Sequence, residues 1–287
     1  MANAKPKAWL ITGCSTGIGR ALAQRVLAHG DRCVVTARDA ATVADIVAPH
    51  GESALAFSLD VTNAAQRKHA LAQAIERFGG IDVLVNNAGH GYSAAVEEGD
   101  EAQIRAMFEA NFFGLAAMLR DALPAMRARG GGRIVNISSI GGLVGNIGSG
   151  YYNASKFAVE GLSQALALEA APHGIRVTLV EPGPFRTDFQ GRSMQRSKER
   201  IGAYADTVGA RRAQQDKSMG REPGDPVRAA EAIIAVVGHP DPPLHLLLGA
   251  NAVSRAREKF TTLLKSIDAW EEVSRGTDFP ANQQAAN

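Results

Sequence analysis

The chain has 287 residues, of which 45% are hydrophobic, and its 31 basic and 29 acidic side chains leave a net charge of only +2. This balance gives no reason to expect nucleic acid or an anionic membrane as a partner. Two cysteines are too few for a disulfide framework, the N-terminus lacks the apolar segment of a secretory signal, and no apolar run is long enough for a membrane span, so we expect a cytoplasmic protein.

Short apolar segments alternate with longer segments of helical periodicity from residue 8 to about residue 249. Several apolar segments are nearly continuous runs of Val, Ile and Leu, which is typical of strands buried on both faces. The alternation predicts a single α/β domain with a doubly wound, mostly parallel seven-stranded sheet and helices on both faces. Strands are predicted at Ala8–Thr12, Arg32–Thr36, Ala54–Ser58, Asp82–Asn86, Arg133–Ser138, Arg176–Glu181 and Leu244–Leu248. Helices are predicted at Ile18–His29, Ala64–Phe78, Glu101–Arg129 (one helix, or two joined near Pro124) and Tyr152–Ala171.

Residues 188–225 depart from this alternation. The segment is long, polar and basic, and it contains no predicted strand. A connection of this length inside a domain is more often a functional lid than a plain connector. We therefore predict a substrate lid, with a disordered surface insertion as the alternative.

A helical segment follows the last predicted strand. Its apolar side chains recur at steps of three and four residues, which gives a narrow stripe suited to packing on the domain or on a neighbouring subunit. The stripe consists of Val253, Ala256, Phe260, Leu263, Ile267 and Trp270. We therefore divide the chain into a catalytic and cofactor-binding domain, residues 1–250, and a C-terminal helix and tail, residues 251–287, and we expect the polar end from Gly276 onward to be frayed.

The first predicted strand ends in the glycine-rich turn Thr12-Gly13-Cys14-Ser15-Thr16-Gly17-Ile18-Gly19, and the first predicted helix begins within it. Glycines let the backbone turn tightly and approach a diphosphate, while the unpaired N–H groups at a helix N-terminus attract an anion. The position of this turn between the first strand and the first helix is the context that a dinucleotide site requires. The turn therefore predicts a Rossmann-type dinucleotide-binding domain.

The spacing of these glycines, TGxxxGxG, resembles the cofactor motif of the short-chain dehydrogenase/reductase family. Asn86-Asn87-Ala88-Gly89 resembles that family's NNAG motif, and Asp60 in Leu59-Asp60-Val61-Thr62 resembles its adenine-contacting aspartate. Pro182-Gly183, with Thr187 after it, resembles the segment whose threonine holds the nicotinamide carboxamide. The resemblance covers about residues 7–249. The cofactor contacts that it implies are Gly13, Ser15, Thr16, Gly17, Ile18, Gly19, Asp60, Val61, Asn87, Ala88, Gly89, Tyr152, Lys156, Pro182, Gly183 and Thr187.

The end of the second predicted strand bears on the choice of cofactor. A site for NAD places a carboxylate there to accept a hydrogen bond from the ribose 2′-hydroxyl, but this position is Ala37, with Arg38 beside it. A guanidinium binds the 2′-phosphate that a carboxylate would repel, so the sequence predicts NADP(H). NAD(H) stays the alternative, because a shift of one residue would bring the carboxylate of Asp39 into the site.

Tyr152 and Lys156 are four residues apart, which on a helix places their Cβ atoms about 6 Å from one another. A free phenol has a pKa of about 10, too high for a base at neutral pH. A nearby ammonium group, together with the charge of an oxidised nicotinamide, lowers that pKa. The pair resembles the family's catalytic YxxxK motif. The neighbouring Tyr151 lacks this spacing and is assigned to packing or to the rim of the substrate pocket.

The resemblance implies two further catalytic residues. Ser139 resembles the serine that hydrogen-bonds the substrate oxygen, and its neighbour Ser138 fits the spacing less well. Asn111 resembles the asparagine that holds a water behind the lysine. In the implied mechanism Ser139 and Tyr152 hold a carbonyl oxygen during hydride transfer, Tyr152 protonates the alkoxide, and Lys156 with the water replaces the proton.

Within the family, the glycine turn, Gly161, the segment Glu181-Pro182-Gly183-Pro184 and the chain beyond residue 250 are similar to the hydroxysteroid and retinol dehydrogenase branch. This similarity implies a hydrophobic alcohol or ketone as the substrate. The residues predicted to line its pocket are Tyr92, Ser139, Ile147, Phe185 and Phe189.

Three alternatives to an alcohol dehydrogenase or ketone reductase stay open: a 3-oxoacyl thioester reductase, a non-catalytic NADP-binding sensor, and an unrelated Rossmann-like transferase, which the Tyr–Lys pair disfavours. The seven histidines show no metal-binding spacing, so we expect no metal site. The family resemblance implies a homodimer or homotetramer.

Overall fold

The computed structural model describes residues 5–279. The strands in this part of the chain are β1 (Ala8–Ile11), β2 (Arg32–Ala37), β3 (Ala54–Ser58), β4 (Val83–Asn86), β5 (Gly91–Ser93), β6 (Gly132–Ile137), β7 (Ile175–Pro182), β8 (Met194–Arg196) and β9 (His245–Leu248). The α-helices are α1 (Gly17–Ala28), α2 (Ala44–Val47), α3 (Ala64–Phe78), α4 (Glu101–Phe108), α5 (Gly114–Ala128), α6 (Gly150–Ala170), α7 (Ala210–Ser218), α8 (Pro226–Gly238) and α9 (Ala250–Arg275).

The seven predicted strands form one sheet in the order β3-β2-β1-β4-β6-β7-β9, and every neighbouring pair is parallel. Helices α1 and α8 cover one face, where their apolar side chains join a core under β1 and β2. Helices α3, α5 and α6 cover the other face, with a second core. This arrangement confirms the predicted doubly wound α/β fold. The strand order reverses beside β1, so a crevice opens at the carboxyl ends of β1 and β4, where ligands bind in sheets of this kind.

Residues 188–225 contain a strand, so the prediction of a strandless segment was wrong. Strand β8 pairs in parallel with β5 in a separate two-stranded sheet. The three residues of β8, Met-Gln-Arg, are too few and too polar for a strand to be recognised from periodicity. Their pairing comes from tertiary contact with β5 and not from local propensity. The same segment contains α7, and it is therefore not a disordered insertion.

The predicted helix Glu101–Arg129 is interrupted, but not near Pro124. The break is a π-helical turn at Glu109–Phe113, between α4 and α5, and Pro124 lies inside α5. A proline removes one backbone donor and does not by itself end a helix. Single π turns inside α-helices frequently mark functional positions, and this one carries Asn111.

The predicted C-terminal helix is present as α9, which begins after Gly249 (φ +88°). Only its first two turns pack on the domain, where Ala252 and Ala256 join a small apolar cluster with Ile140. The part of the predicted frayed tail from residue 280 onward lies outside the described residues. Among residues 5–279, none of the helices combines the length and apolar character that crossing a bilayer requires.

Candidate active site

The glycine turn between β1 and α1 has the conformation of an anion cradle. Gly13 and Gly17 adopt positive φ angles of +74° and +63°, which other residues rarely adopt. A Cβ atom on Gly19 would lie 2.3 Å from Nδ2 of Asn87, so the packing there requires glycine. Thr16 is the N-cap residue of α1, and its side chain makes no capping hydrogen bond. The first turn of α1 therefore offers its N–H groups to a ligand, and the turn fits the diphosphate of a dinucleotide.

The segment that follows β4 fixes the other side of this turn. The side-chain amide of Asn87 donates to the carbonyl oxygens of Thr12 and Gly13, both at 2.9 Å. The hydroxyl of Thr12 in turn accepts from the backbone N–H groups of Asn87 and Ala88, at 2.9 and 3.0 Å. Next in the chain is Gly89, which faces the interior polar groups described below. These bonds hold the ends of β1 and β4 together at the mouth of the crevice.

Ser139 and Tyr152 converge on Gly141. A Cβ atom there would lie 3.3 Å from Oγ of Ser139 and 3.4 Å from Cε1 of Tyr152. The hydroxyl of Ser139 also accepts from the backbone N–H of Gly141 at 3.0 Å, which sets its orientation. By contrast, Ser138 is buried and lies near Glu160, on the far side of the adjacent Gly142.

Lys156 is buried one turn of α6 after Tyr152. Its Nζ atom donates to the carbonyl oxygen of Ile137 at 2.8 Å and lies 6.0 Å from the centroid of the Tyr152 ring. Burial lowers the pKa of Lys156 to about 8, although the charge of Glu160 opposes the shift. A lysine with such a pKa can both release and bind a proton near neutral pH.

The pKa of Tyr152 differs from the expectation. Burial raises it to about 12, and the hydrogen bond with Ser139 only partly opposes this effect. The protein alone therefore does not lower the phenol's pKa, because the cost of burying a phenolate dominates. Tyr152 is a protonated acid in this state, which is the form that carbonyl reduction requires.

Asn111 is fully buried in the π-helical turn. Its Oδ1 atom accepts from the backbone N–H of His90 at 2.9 Å, and its Nδ2 atom donates to the His90 carbonyl at 2.9 Å and to Oγ of Ser155 at 3.1 Å. The side chain therefore ties the segment after Gly89 to α6. The structure places Asn111 near Lys156, since a Cβ atom on Gly89 would lie 2.8 Å from Oδ1 of Asn111 and 3.9 Å from Nζ of Lys156.

The residues after β2 and β3 are those that the sequence predicts to select the adenosine. Ala37 ends β2 and is buried, whereas the side chain of Arg38 is exposed. The carboxylate of Asp39 accepts from the backbone N–H of Ala41 and caps the short helical turn after β2. The carboxylate of Asp60 accepts from the N–H and hydroxyl groups of Thr62. Val61 is buried and packs against the position of Gly114 in α5.

The segment after β7 folds over the glycine turn. A Cβ atom on Gly17 would lie 3.5 Å from Cβ of Thr187. Pro182 ends β7 opposite Leu248, and the N–H of Gly183 donates to the Leu248 carbonyl at 2.9 Å. These contacts bring Thr187 to the cofactor side of the crevice.

The predicted pocket residues are not all in one place. The ring of Phe189 lies 5.7 Å from that of Tyr152. Tyr92 is buried in the same cluster, and its hydroxyl accepts from the backbone N–H of Asp100 at 2.9 Å. Ile147 is exposed. Phe185 is not brought to this cluster, because its ring packs against the positions of Gly224 and Gly249.

Two polar clusters near the site were not found from the sequence. Buried Glu160 and Glu181 meet His245, whose Nδ1 atom lies 2.6 Å from Oε1 of Glu181, and the three potential ligand atoms lie within 4.8 Å of one another. Buried Glu98 pairs with Arg212 of α7 at 2.7 Å. The partners in each cluster come from distant parts of the chain, so no spacing signal could have revealed them.

The carboxyl pair of the first cluster makes stability depend on pH. Burial, the largest cause in both cases, raises the pKa of Glu160 to about 7 and that of Glu181 to about 8, from 4.5. The folded protein therefore holds more protons than the unfolded chain between these values, and the free energy of unfolding falls as the pH rises through this window. Lys156, with its lowered pKa, adds the opposite slope only above about pH 8.

We therefore expect the melting temperature to fall between about pH 6.5 and pH 8, above the range in which His90, whose pKa is lowered by burial, opposes the effect. Glu181→Gln, which cannot ionise, should reduce that slope. Differential scanning calorimetry across this range measures both proteins. Glu52→Gln, at a carboxylate that is 90% exposed, is the matched control and should retain the wild-type slope. Equal slopes in wild type and Glu181→Gln would contradict the assignment.

Together these features define a nucleotide-binding oxidoreductase domain of Rossmann type. Residues 7–198 match the model of the family described as short chain dehydrogenase. The chain belongs to the short-chain dehydrogenase family.

Three relatives illustrate the similarity. The chain is 39% identical over 269 residues to oxidoreductase BOA17 of Botryotinia fuckeliana, covering 93% of this chain and 98% of that protein. It is 37% identical over 246 residues to 3-ketodihydrosphingosine reductase of Bacteroides thetaiotaomicron, covering 85% and 88%. It is 34% identical over 281 residues to retinol dehydrogenase 8 of Homo sapiens, covering 93% and 87%.

Solved structures show the same fold. A short-chain dehydrogenase from Streptomyces avermitilis superposes with a TM-score of 0.89 at 44% identity, over 96% of this chain and all of that one. A 3-ketoacyl-(acyl-carrier-protein) reductase from Brucella melitensis complexed with NADH gives 0.71 at 26% identity, over 84% and 96%. An alcohol dehydrogenase from Thermococcus sibiricus complexed with 5-hydroxy-NADP gives 0.70 at 26% identity, over 85% and 96%.

Proposed function

We propose that this protein is a cytoplasmic NADP(H)-dependent oxidoreductase that interconverts a hydrophobic alcohol with the corresponding ketone or aldehyde. The proposal rests mainly on one arrangement of side chains. Ser139 and Tyr152 converge on Gly141, and buried Lys156 lies one turn of α6 after Tyr152. This constellation lies beside the crevice formed by the glycine turn and the segment after β4. Free, buried Cys14 and Cys33 are compatible with a reducing compartment.

The residues of the glycine turn and the N-terminus of α1 would hold the cofactor's diphosphate, and Thr187 would bind its carboxamide. When bound, the nicotinamide supplies or accepts the hydride. Ser139 and Tyr152 hold the substrate oxygen by hydrogen bonds, and Tyr152, whose pKa of about 12 keeps it protonated, donates its proton to the alkoxide that develops. In the oxidation direction the phenolate of the same residue accepts the proton of the alcohol.

Lys156 and Asn111 act behind Tyr152. With a pKa of about 8, Lys156 can return a proton at neutral pH to the phenolate that reduction leaves. The side-chain amide of Asn111 is engaged by His90 and Ser155. We therefore assign the water of the proton relay to the backbone of the π-helical turn, and the Asn111 side chain to holding that turn in place.

The preference for NADP(H) rests on Arg38. Oδ1 of Asp39 is engaged in capping the turn after β2, and Arg38 has an exposed side chain at the strand end. Arg38→Ala should lower kcat/KM for NADPH by about tenfold to a hundredfold and leave that for NADH nearly unchanged, because a charge-assisted contact to the 2′-phosphate is lost. Arg77→Ala, in α3 and paired with exposed Glu52, is the control. A wild type that prefers NADH would contradict the assignment.

The substrate proposal rests on the apolar surroundings of Tyr152. The ring of Phe189 faces the catalytic tyrosine, and it belongs to the segment 188–225, which we propose as the substrate lid. The names of two relatives refer to retinol and to 3-ketodihydrosphingosine, both long apolar molecules with one reacting oxygen. The test is a panel of long-chain ketones, aldehydes and acyl-carrier-protein thioesters, followed by NADPH absorbance. Turnover of the thioesters alone would identify a 3-oxoacyl thioester reductase instead, and binding without any turnover would indicate a sensor.

A further inference from the structure

The outer part of α9 carries an apolar stripe that the domain does not cover. From Glu258 to Arg275 every residue of the helix is exposed, although the helix continues for more than four turns beyond its last buried residue, Ala256. The exposed large apolar side chains here are Phe260, Leu263, Leu264, Ile267, Trp270 and Val273. An apolar stripe of this length on one helix marks an interaction surface.

The spacing of the stripe is that of a helix that pairs with another helix. Phe260 and Ile267 lie at position a of a heptad, and Leu263 and Trp270 lie at position d. Four of the six exposed apolar side chains thus lie on an a/d seam, which suits two-stranded pairing, and Leu264 (position e) and Val273 (position g) lie beside it. At the flanking e positions the chain has Arg257, Leu264 and Glu271. Arg257 and Glu271, which carry opposite charges, therefore lie seven residues before and after Leu264.

The charges of α9 are divided along its length. The half nearest the domain carries Arg255, Arg257 and Lys259 with one acidic side chain, Glu258, for a net charge of +2. The outer half carries Asp268, Glu271 and Glu272 with two basic side chains, Lys265 and Arg275, for a net charge of −1. A second copy of the helix in the opposite direction would bring basic side chains opposite acidic ones at both ends. A copy in the same direction would bring like charges together.

We propose that α9 pairs with α9 of a second copy of this chain, antiparallel, around a two-fold axis beside Leu264. In this register Phe260 packs against the partner's Trp270, and Leu263 packs against the partner's Ile267. Arg257 pairs with the partner's Glu271, and the symmetry repeats each contact on the other side. Within one chain Arg275 bonds Oε1 of Glu271, so Oε2 is the atom that meets the partner's Arg257.

The antiparallel direction also suits the shape of the molecule. The domain attaches at the inner end of α9, through Ala252 and Ala256. In the proposed register Ala256 lies opposite the partner's Ser274. Residues 256 and 274 are about 27 Å apart along the helix, so the two domains lie at opposite ends of the helix pair. Parallel pairing would bring both domains to the same end of the helices.

Cross-linking tests the register. Both native cysteines are fully buried, so Leu264→Cys introduces one accessible thiol. We expect a short bismaleimide to cross-link this variant into dimers at micromolar protein concentration. Two cysteine variants serve as controls and should stay monomeric on the denaturing gel. Lys265→Cys places its thiol on the outward face of α9, and Arg257→Cys places its thiol about 21 Å from the same residue of the partner. Cross-linking of Arg257→Cys but not of Leu264→Cys, or of neither, would overturn the proposal.

Charge exchange tests the partner. Arg257→Glu and Glu271→Arg should each raise the dimer dissociation constant at α9 by about tenfold, measured as the loss of Leu264→Cys cross-linking across a dilution series, and the double variant should restore it. Circular dichroism controls for the helix content of each variant. Vesicles of phosphatidylcholine and phosphatidylserine provide the competing outcome. Flotation of the protein with vesicles, without any α9 cross-link, would replace the second copy with a membrane surface.

Discussion

Tyr152→Phe is expected to reduce kcat by about 10²- to 10⁴-fold while NADPH still binds, because the substitution removes the proton donor and keeps the ring. The ring packs beside Phe189, so phenylalanine preserves the shape of the pocket. Binding of NADPH is measured by its fluorescence, and turnover is measured with the best substrate of the panel. The two readouts separate loss of chemistry from loss of the site.

Tyr151→Phe is the matched control for this prediction. The Tyr151 hydroxyl donates to the backbone carbonyl of Val96 at 2.7 Å and belongs to the packing of the chain. This variant should lose a little stability and retain nearly all of its turnover. If Tyr152→Phe retained wild-type turnover, another acid would have to supply the proton, and the assignment of Tyr152 would be wrong.

Glu98→Ala is expected to destabilise the protein by about 3–5 kcal/mol, because it leaves the buried guanidinium of Arg212 without its carboxylate. Burial by itself raises the pKa of Glu98. Hydrogen bonds from Ile201, Arg212 and Ala95, and the charge of Arg212, outweigh that effect and lower the pKa to about 2. The carboxylate thus joins the chain after β5 to the segment 188–225, which supplies Ile201 and Arg212. Loss of the Glu98 carboxylate should therefore detach the segment 188–225 from the domain.

Urea denaturation measures the stability change, and limited trypsin digestion measures the release of the segment. Arg192, Arg196, Lys198 and Arg200 provide cleavage sites within it. Glu101→Ala, which breaks an exposed pair with Arg105, is the control and should change neither readout. A tryptic pattern in Glu98→Ala identical to that of wild type would show that the pair does not anchor the segment.

Local sequence signals were sufficient for the fold and for much of the site. Buried parallel strands are continuous apolar runs, so the strands of the main sheet could be predicted with small errors at their ends. The glycine turn and the Tyr152–Lys156 pair are each encoded within a few residues. The parallel topology then brings the ends of β1, β4 and β6 to one edge of the sheet, because right-handed crossovers leave few alternatives.

Features that depend on tertiary contact could not be predicted in the same way. Strand β8 forms only because β5 lies beside it, and the carboxyl group of Glu181 in β7 meets His245 of β9 across 64 residues. The side chain of Asn111 is occupied by the backbone of His90, which no spacing rule reveals. Phe185 is one residue after Pro184, but its ring turns toward Gly224 and away from Phe189.

The pKa of Tyr152 illustrates a further limit of reasoning from motifs. The four-residue spacing to Lys156 suggests a lowered pKa, yet Nζ of the lysine lies 6.0 Å from the ring centroid, and burial dominates. A pKa depends on desolvation as well as on neighbouring charges, and desolvation is not encoded in a short motif. The charge of an oxidised nicotinamide would add the missing stabilisation of a phenolate.

A crystal structure with NADP⁺ bound would test the central claim most directly. We expect the diphosphate to lie against the N-terminus of α1, the 2′-phosphate beside Arg38, and the nicotinamide ring next to the hydroxyl of Tyr152. A dinucleotide bound elsewhere, or a nicotinamide ring that cannot share a substrate carbon with Tyr152, would contradict it.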